Sequence, residues 1–482
     1  LLWLPSLWAA QPPLSPPFYR YYQFLEYTGQ PSPVIGSILK DQKLGRLKDH
    51  ERPVKLTLAR LYIALGLHLQ AVNILRSLAQ QTLPAELADQ VWFYLASSHY
   101  HSGDLQQAEQ ALQRIHRKSR SPQIRAQQQH LQALILMAGQ HYRQAAEMMQ
   151  KNWWQAPDNW DLYQRFNLAV ALINSNRQQQ GLELLQQTSL KPAENKEAEA
   201  LIDKINQTLG YVLLQQQQPA QARPYLERVR LRGPYSDMAL LGTGWASAML
   251  QQYRQALVPW LELSARDIRQ VPVQEALLTV PYAYEQLDAW GQAAQFYQQA
   301  IDDFEAEIQH LQQSREALKN NVMQQVLAGV NVASEAAWLK NIHLIDDQPA
   351  TRYIRQLMDD DDFFNTMNNY REARFILREA EGRMQRIKTL TGDRFSQLVR
   401  QQTQAGTDNR EQIRFMEILA ADLFRRANQL MLQAQQQIDS HGKRLQQRAL
   451  QLLEQRKAHI DVYLVQARLA LAQCYDRLGD GK

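Results

Sequence analysis

The 482-residue sequence has a single cysteine, Cys474. One thiol excludes an internal disulfide framework and any cysteine-rich zinc module. Glycine and proline number 19 each, about 8% together against a usual ~12%, so a loop-rich or all-β chain is disfavoured. Nowhere is there an apolar run of the ~20 residues that a membrane-spanning helix needs. Charge of one sign is also scarce: 53 Lys and Arg against 48 Asp and Glu leave a net +5. That balance permits weak attraction to anionic partners but gives no ground for expecting nucleic acid as a partner. What remains is 45% hydrophobic and 21% charged residues, enough to bury a sizeable core in two or three domains.

The first ten residues are apolar apart from Ser6. They are too short to cross a bilayer and resemble the end of a secretory signal, with Ala9 and Ala10 before Gln11 as a cleavage region. Trp8 or Leu7 would then stand where a small residue is preferred, so an irregular terminus or a retained membrane anchor is the alternative. Prolines at 12, 13, 16 and 17 make the rest of residues 1–17 an extended spacer. Residues 18–51 open with the aromatic run FYRYYQFLEYTGQ. We expect a capping segment there that seals the adjoining array; a partner-binding segment is the alternative.

From residue 52 to 305 self-similarity dominates the chain. Trp92, Leu95, Ala96, His99, Gly103, Leu105, Ala108, Leu112 and Ile115 form one unit. The register returns at Leu58, Ala59, Tyr62, Gly66, Ala71, Leu75 and Leu78, and at Ala133, Leu136, Tyr142, Ala145, Met149 and Pro157. It continues at Leu168, Ala169, Leu172, Asn176, Gly181 and Leu185, then at Leu209, Gly210, Leu213, Ala222, Leu226, Val229 and Pro234. Two more copies hold Gly244, Tyr253, Ala256 and Trp260, and Val280, Pro281, Tyr284, Trp290, Ala293, Tyr297 and Ala300. Small residues such as Ala108 let two helices approach closely, and Leu112 and Ile115 fill the gap to the neighbouring pair. Asn176 stands where a turn glycine is usual, Gly181 replaces the packing Ala, and Pro281 falls inside a first helix.

These spacings resemble the tetratricopeptide repeat, in about seven copies across residues 52–305. The resemblance implies an all-α fold: a right-handed α-solenoid of stacked helix pairs that binds other proteins.

Beyond Ala300 the period changes. Tyr297, Ile301, Phe304, Ile308, Leu311, Leu318 and Val322 follow a heptad interrupted by Arg315, and Tyr370, Ala373, Leu377, Ala380, Met384 and Ile387 form another run. A third run is Ile413, Met416, Ala420, Leu423, Ala427, Leu430 and Ala434, whose phase slips to Ile438, Leu445 and Leu452. Residues 306–458 are therefore expected as a coiled-coil-like helical arm, its seams satisfied internally or, alternatively, by a homodimer. Leu471, Ala472, Tyr475 and Gly479 return to the repeat register, so residues 459–482 are expected as a capping helix. The acidic run Asp359 to Asp362 suits a loop or a helix start; it lacks the spaced ligands and glycine of a calcium loop.

No chemistry emerges. A glycine-rich phosphate loop and a Gly-x-Ser-x-Gly elbow are both missing. His99 and His101 point to different faces of a helix, and Cys474 among Leu and Ala reads as a small core residue. Asp302 and Asp303 are paired on a surface helix with no implied pocket, and the glutamine runs at 178–180, 215–218 and 435–437 read as neutral solvated faces. No catalytic residue, cofactor or metal is expected.

In tetratricopeptide arrays the first helices line a concave groove. The positions that resemblance assigns to it are Arg60, Phe93, Tyr100, Tyr163, Phe166, Asn174, Tyr211, Trp245 and Tyr282. The set is rich in aromatics, which give large contact area at low entropic cost; the alternative is that some of them pack inward. An extended, partly apolar peptide or a partner helix suits this surface better than the terminal carboxylate that a Lys and Asn clamp would hold. The expected function is a non-enzymatic scaffold, exported or associated with a bacterial envelope, that assembles a multiprotein complex. The rivals are a cytosolic regulatory adaptor that dimerises through its arm and an accessory subunit of an enzyme.

Overall fold

A computed structural model describes residues 51–64, 68–115, 122–152, 161–320, 348–405 and 410–480, with a few isolated positions besides. The expected signal and spacer at 1–17, most of the aromatic segment at 18–51, and Gly66, Pro157 and Val322 lie outside the described residues. Among the described residues there is no strand; the fold is all-α. Nor is any described helix long and apolar enough to cross a membrane.

Fourteen helices come in pairs: α1 (Glu51–Ala64) with α2 (His68–Ala79), α3 (Ala85–His101) with α4 (Leu105–Gln113), and α5 (Pro122–Ala138) with α6 (Tyr142–Asn152). They continue as α7 (Asp161–Asn174) with α8 (Gln178–Ser189), α9 (Lys196–Gln215) with α10 (Pro219–Glu227), and α11 (Ser236–Met249) with α12 (Tyr253–Ser264). The last pair is α13 (Val271–Glu285) with α14 (Trp290–Lys319). Three further helices complete the chain: α15 (Ile354–Leu357), α16 (Asp361–Ala405) and α17 (Arg410–Asp480). The chain divides into two compact units. One comprises Leu1–Ile63, Gln70–Leu311 and Gln455–Lys482, the other Ala64–Leu69 and Gln312–Glu454.

Within the first unit, the turn inside each of the six pairs from α3–α4 to α13–α14 is built the same way. Gly103, Gln140, Asn176, Gln217, Gln251 and Asp288 all have positive φ, between 56° and 76°. The next residue's N–H reaches back to the carbonyl five positions earlier: Asp104 to His99 (2.9 Å), His141 to Leu136 (2.7 Å), Arg177 to Leu172 (3.0 Å). Gln218 to Leu213, Gln252 to Ser247 and Ala289 to Tyr284 repeat the bond at 2.9 Å. This is the Schellman ending of a helix, which satisfies carbonyls that the last turn leaves open. Among these six turns glycine fills the left-handed position once, at Gly103; in the other five a side chain sits there at a steric cost.

Five residues after each left-handed position comes the close crossing. Ala108, Ala145, Ala222, Ala256 and Ala293 are wholly buried, and Gly181 stands in the same place. A Cβ on Gly181 would lie 2.7 Å from the Ala169 carbonyl oxygen of α7. On the first helices, a Cβ on Gly210 would lie 2.3 Å from Leu226 Cγ, and one on Gly244 would lie 2.0 Å from Trp260 Nε1. The largest side chain thus faces a glycine: Trp260 is fully buried and its Nε1–H donates to the Leu241 carbonyl at 3.2 Å. Larger apolar groups then continue from pair to pair. One core runs from Leu56 through Leu75, Phe93 and Leu112 to Ile135. Another runs from Phe166 through Leu185 and Leu209 to Ala246, and a third from Leu241 through Trp260 to Ala283.

A second regularity fixes the pairs from outside. Lys191, past the end of α8, pairs with Asp161 of α7 at 2.6 Å. Arg230, past α10, donates to the buried Asp203 of α9 through Nε at 2.7 Å and through its N–H at 3.2 Å. Arg266, past α12, binds Asp237 and Ser236 at the start of α11 at 2.7 and 2.8 Å. Each basic side chain ties the end of a second helix to its own first helix.

Residues 455–480 of α17 lie along α13 and α14. Arg456 donates to the Arg269 carbonyl and Arg468 pairs with Glu305. The Tyr463 ring is 6.0 Å from that of Phe304, and Cys474 Sγ is 3.6 Å from Glu285 Oε1. Cys474 is fully buried, and burial and the neighbouring Glu285 push its thiol up to about 11, far from a reactive thiolate.

In the second unit, Asp360 begins α16: it accepts the Phe363 N–H at 2.9 Å and pairs with Arg448, which holds its carboxyl below the usual range. Arg444 pairs with Asp362 at 2.6 Å. Ile438, Leu445 and Leu453 are buried on α17. Leu452, expected as the next heptad position, is half-buried, and the buried edge runs from Leu445 through Ala449 to Leu453 at the four-residue spacing of an ordinary helix.

Two outcomes are expected from the pair geometry. Replacing Gln217 by Gly relieves the left-handed position and should stabilise the chain by about 0.5–1 kcal/mol, read as a raised urea midpoint. Gly244→Ala should cost about 1–3 kcal/mol by overpacking against Trp260, and that cost should shrink in a Trp260→Leu background when the same denaturation is measured.

Candidate partner-binding face

The nine expected groove residues do not share one environment. Around α1 and α3, Arg60 lies 5.8 Å from the Tyr94 ring and Tyr100 is half-buried with its ring 5.7 Å from His101. Phe93, only 3% exposed, and Phe166, 7% exposed, pack into the cores. Both sit three residues before the small residue of their helix (Ala96 and Ala169), the position that Leu241 also occupies. They take the inward alternative for those two aromatics.

The other aromatics stay partly open and are tied from one first helix to the next. The Tyr163 hydroxyl of α7 donates to Glu197 of α9. Tyr211 of α9 donates to the Met238 carbonyl of α11 at 2.7 Å. Trp245 of α11 donates through Nε1 to Glu275 of α13 at 2.7 Å. Tyr282 of α13 closes the row, its ring 6.3 Å from Trp245 and 6.2 Å from Tyr253. Burial, with Glu197 beside Tyr163 and Glu275 near Tyr211, raises both phenols well above the usual tyrosine range. These hydroxyls stay protonated and act as donors. Asn174 is exposed, and its Nδ2 donates to Val170 of its own helix at 2.9 Å.

Several members of this face are not evident from sequence. Tyr163, Lys204, Met238 and Glu275 share one place in the register, six residues before Ala169, Gly210, Gly244 and Pro281. That shared offset is the signal that could have found the other three. Lys204 lies 5.2 Å from the Phe166 ring and 6.0 Å from that of Tyr235. Met238 and Met249 are 36% and 37% exposed on the helix that carries Trp245. Among the described residues no group of three or more His, Cys, Asp or Glu side chains is placed to hold a metal ion. A row of anchored rings, thioethers and one cation can hold a polypeptide by apolar contact and hydrogen bonds.

A family profile described as tetratricopeptide repeat matches residues 56–122 and 208–272. No curated protein matches the chain. Among solved structures, the apo form of RapI is 13% identical with a TM-score of 0.43, over 70% of this chain and 96% of that one. The apo quorum sensor NprR of B. thuringiensis is 14% identical with a TM-score of 0.36, over 63% and 97%. PilF of Pseudomonas aeruginosa is 18% identical with a TM-score of 0.32, over 46% and 99%.

Proposed function

We propose that this chain, a tetratricopeptide-repeat protein, is a non-enzymatic scaffold that holds another polypeptide along the first helices α7, α9, α11 and α13. The observation that supports this most is the row Tyr163, Tyr211, Trp245 and Tyr282. Each ring is only partly buried, and three of the four donate to the next first helix. Rings fixed in place before a partner arrives lose little freedom on binding, which is how aromatic anchors concentrate affinity. The bound segment is a peptide or helix, and the scaffold contributes to assembling a multiprotein complex. Association with a bacterial envelope belongs to the same reading, supported by the apolar stretch Leu1 to Ala10.

A second reading, self-association through α17, is favoured by Ile418 and Leu432, each 62% exposed on that helix. Solution mass measured at rising concentration should double if it holds and stay that of one chain if it does not.

For the main reading, the double substitution Tyr211→Ala with Trp245→Ala should weaken partner capture from the native host by about tenfold or more. Helicity by circular dichroism should be nearly unchanged. Capture that persists at full strength contradicts the reading.

A further inference from the structure

Among the described residues, no carboxylate pairs with Lys204 on α9. Its ammonium faces the rings of Phe166 and Tyr235, and the acids around it are already engaged. Glu197 accepts from Tyr163. Asp203 accepts from the Arg230 guanidinium and backbone, and Glu199 pairs with that same guanidinium. Lys204 is half-buried, and burial alone lowers its pKa. A partly desolvated charge that no acid compensates is costly. Ring faces offset only part of that cost. An anion delivered by a partner would complete the site.

We propose that Lys204 receives a carboxylate side chain of the polypeptide held on this face, so that the partner is an extended segment pairing an acidic residue with a large apolar one. The inference rests on the scaffold reading above and adds the chemistry of what is held. The helix sets the spacing. Tyr211 lies seven residues beyond Lys204, about 10.5 Å along the axis. It bonds the Met238 carbonyl on α11, where Met238, Trp245 and Met249 offer a soft apolar surface. An extended chain covers that distance in about three residues. The acid therefore sits on Lys204, and the apolar side chain about three residues away meets Tyr211 and Met238, at the edge of the apolar surface that Trp245 and Met249 extend on α11. This arrangement needs one ammonium between rings, and the selectivity comes from charge complementarity.

The test is selection of a displayed library of random peptides on the full chain, and then anisotropy titration of a selected peptide. Asp or Glu should be enriched about three residues from a large apolar residue. Lys204→Met should weaken binding about tenfold or more, while Lys204→Arg should retain most of it. Replacing the peptide's acid by its amide should weaken binding to the unsubstituted chain but not to Lys204→Met. A melting temperature of Lys204→Met at or above that of the unsubstituted chain shows that the loss is not unfolding. Peptides that depend on Trp245 yet ignore Lys204, or an amide effect equal in both backgrounds, overturn this inference and leave the scaffold reading intact. A library that yields no Trp245-dependent peptide overturns both.

Discussion

The first unit depends on how closely two helices can cross. At each pair a residue with little or no side chain, Ala or Gly, is buried where the helices meet, and the space it leaves is filled by the partner helix. The sizes are matched pair by pair. Gly210 admits Leu226, and Gly244 admits the far larger Trp260, whose indole then finds the Leu241 carbonyl for its N–H. From α3–α4 onward each crossing lies five residues beyond a left-handed turn residue, so the turn sets which residues meet. The Schellman bonds therefore position the core as well as ending the first helix.

A helix pair closed in this way still has apolar surface left over on the side of its neighbour. The cores from Leu56 to Ile135, from Phe166 to Ala246 and from Leu241 to Ala283 show that surface being covered by the next pair. The stack is serial, and stability is shared between nearest neighbours. At its far end, residues 455–480 of α17 take up the last face, with Cys474 buried beside Glu285. The clips from Lys191, Arg230 and Arg266 act on the outside of single pairs and add to closure without carrying the stacking. The same stacking sets the first helices side by side, and so puts Tyr163, Tyr211, Trp245 and Tyr282 in one row.

Much of this was legible in the sequence because small and large residues recur at fixed offsets. Ala71, Ala108, Ala145, Ala222, Ala256 and Ala293 declare the crossings, and all are fully buried. The turns were harder to read. Asn176 is a known occupant of the left-handed region, but Gln140, Gln217 and Gln251 carry no such signature; only the bonds of the helix ending reveal them. On the candidate face, Tyr211, Trp245 and Tyr282 share one register position and stand together. Phe93 and Phe166 share another that faces inward. Lys204 was missed because one lysine looks like any other until its carboxylate neighbours prove to be bound elsewhere. The shift from Leu452 to Leu453 shows the limit of counting heptads: the spacing Leu445, Ala449, Leu453 moves the buried edge one residue past a strict seven-residue repeat.

The central claim, that each pair closes on its own small-for-large crossing and is protected by its neighbours, is tested most directly by hydrogen exchange of the full chain in rising denaturant. The account predicts that protection is lost pair by pair along residues 51–320, with α9 to α12 among the last to open, because Gly210 and Gly244 let Leu226 and Trp260 pack closer than any Cβ would allow. Simultaneous loss of protection in every helix at one denaturant concentration would contradict it.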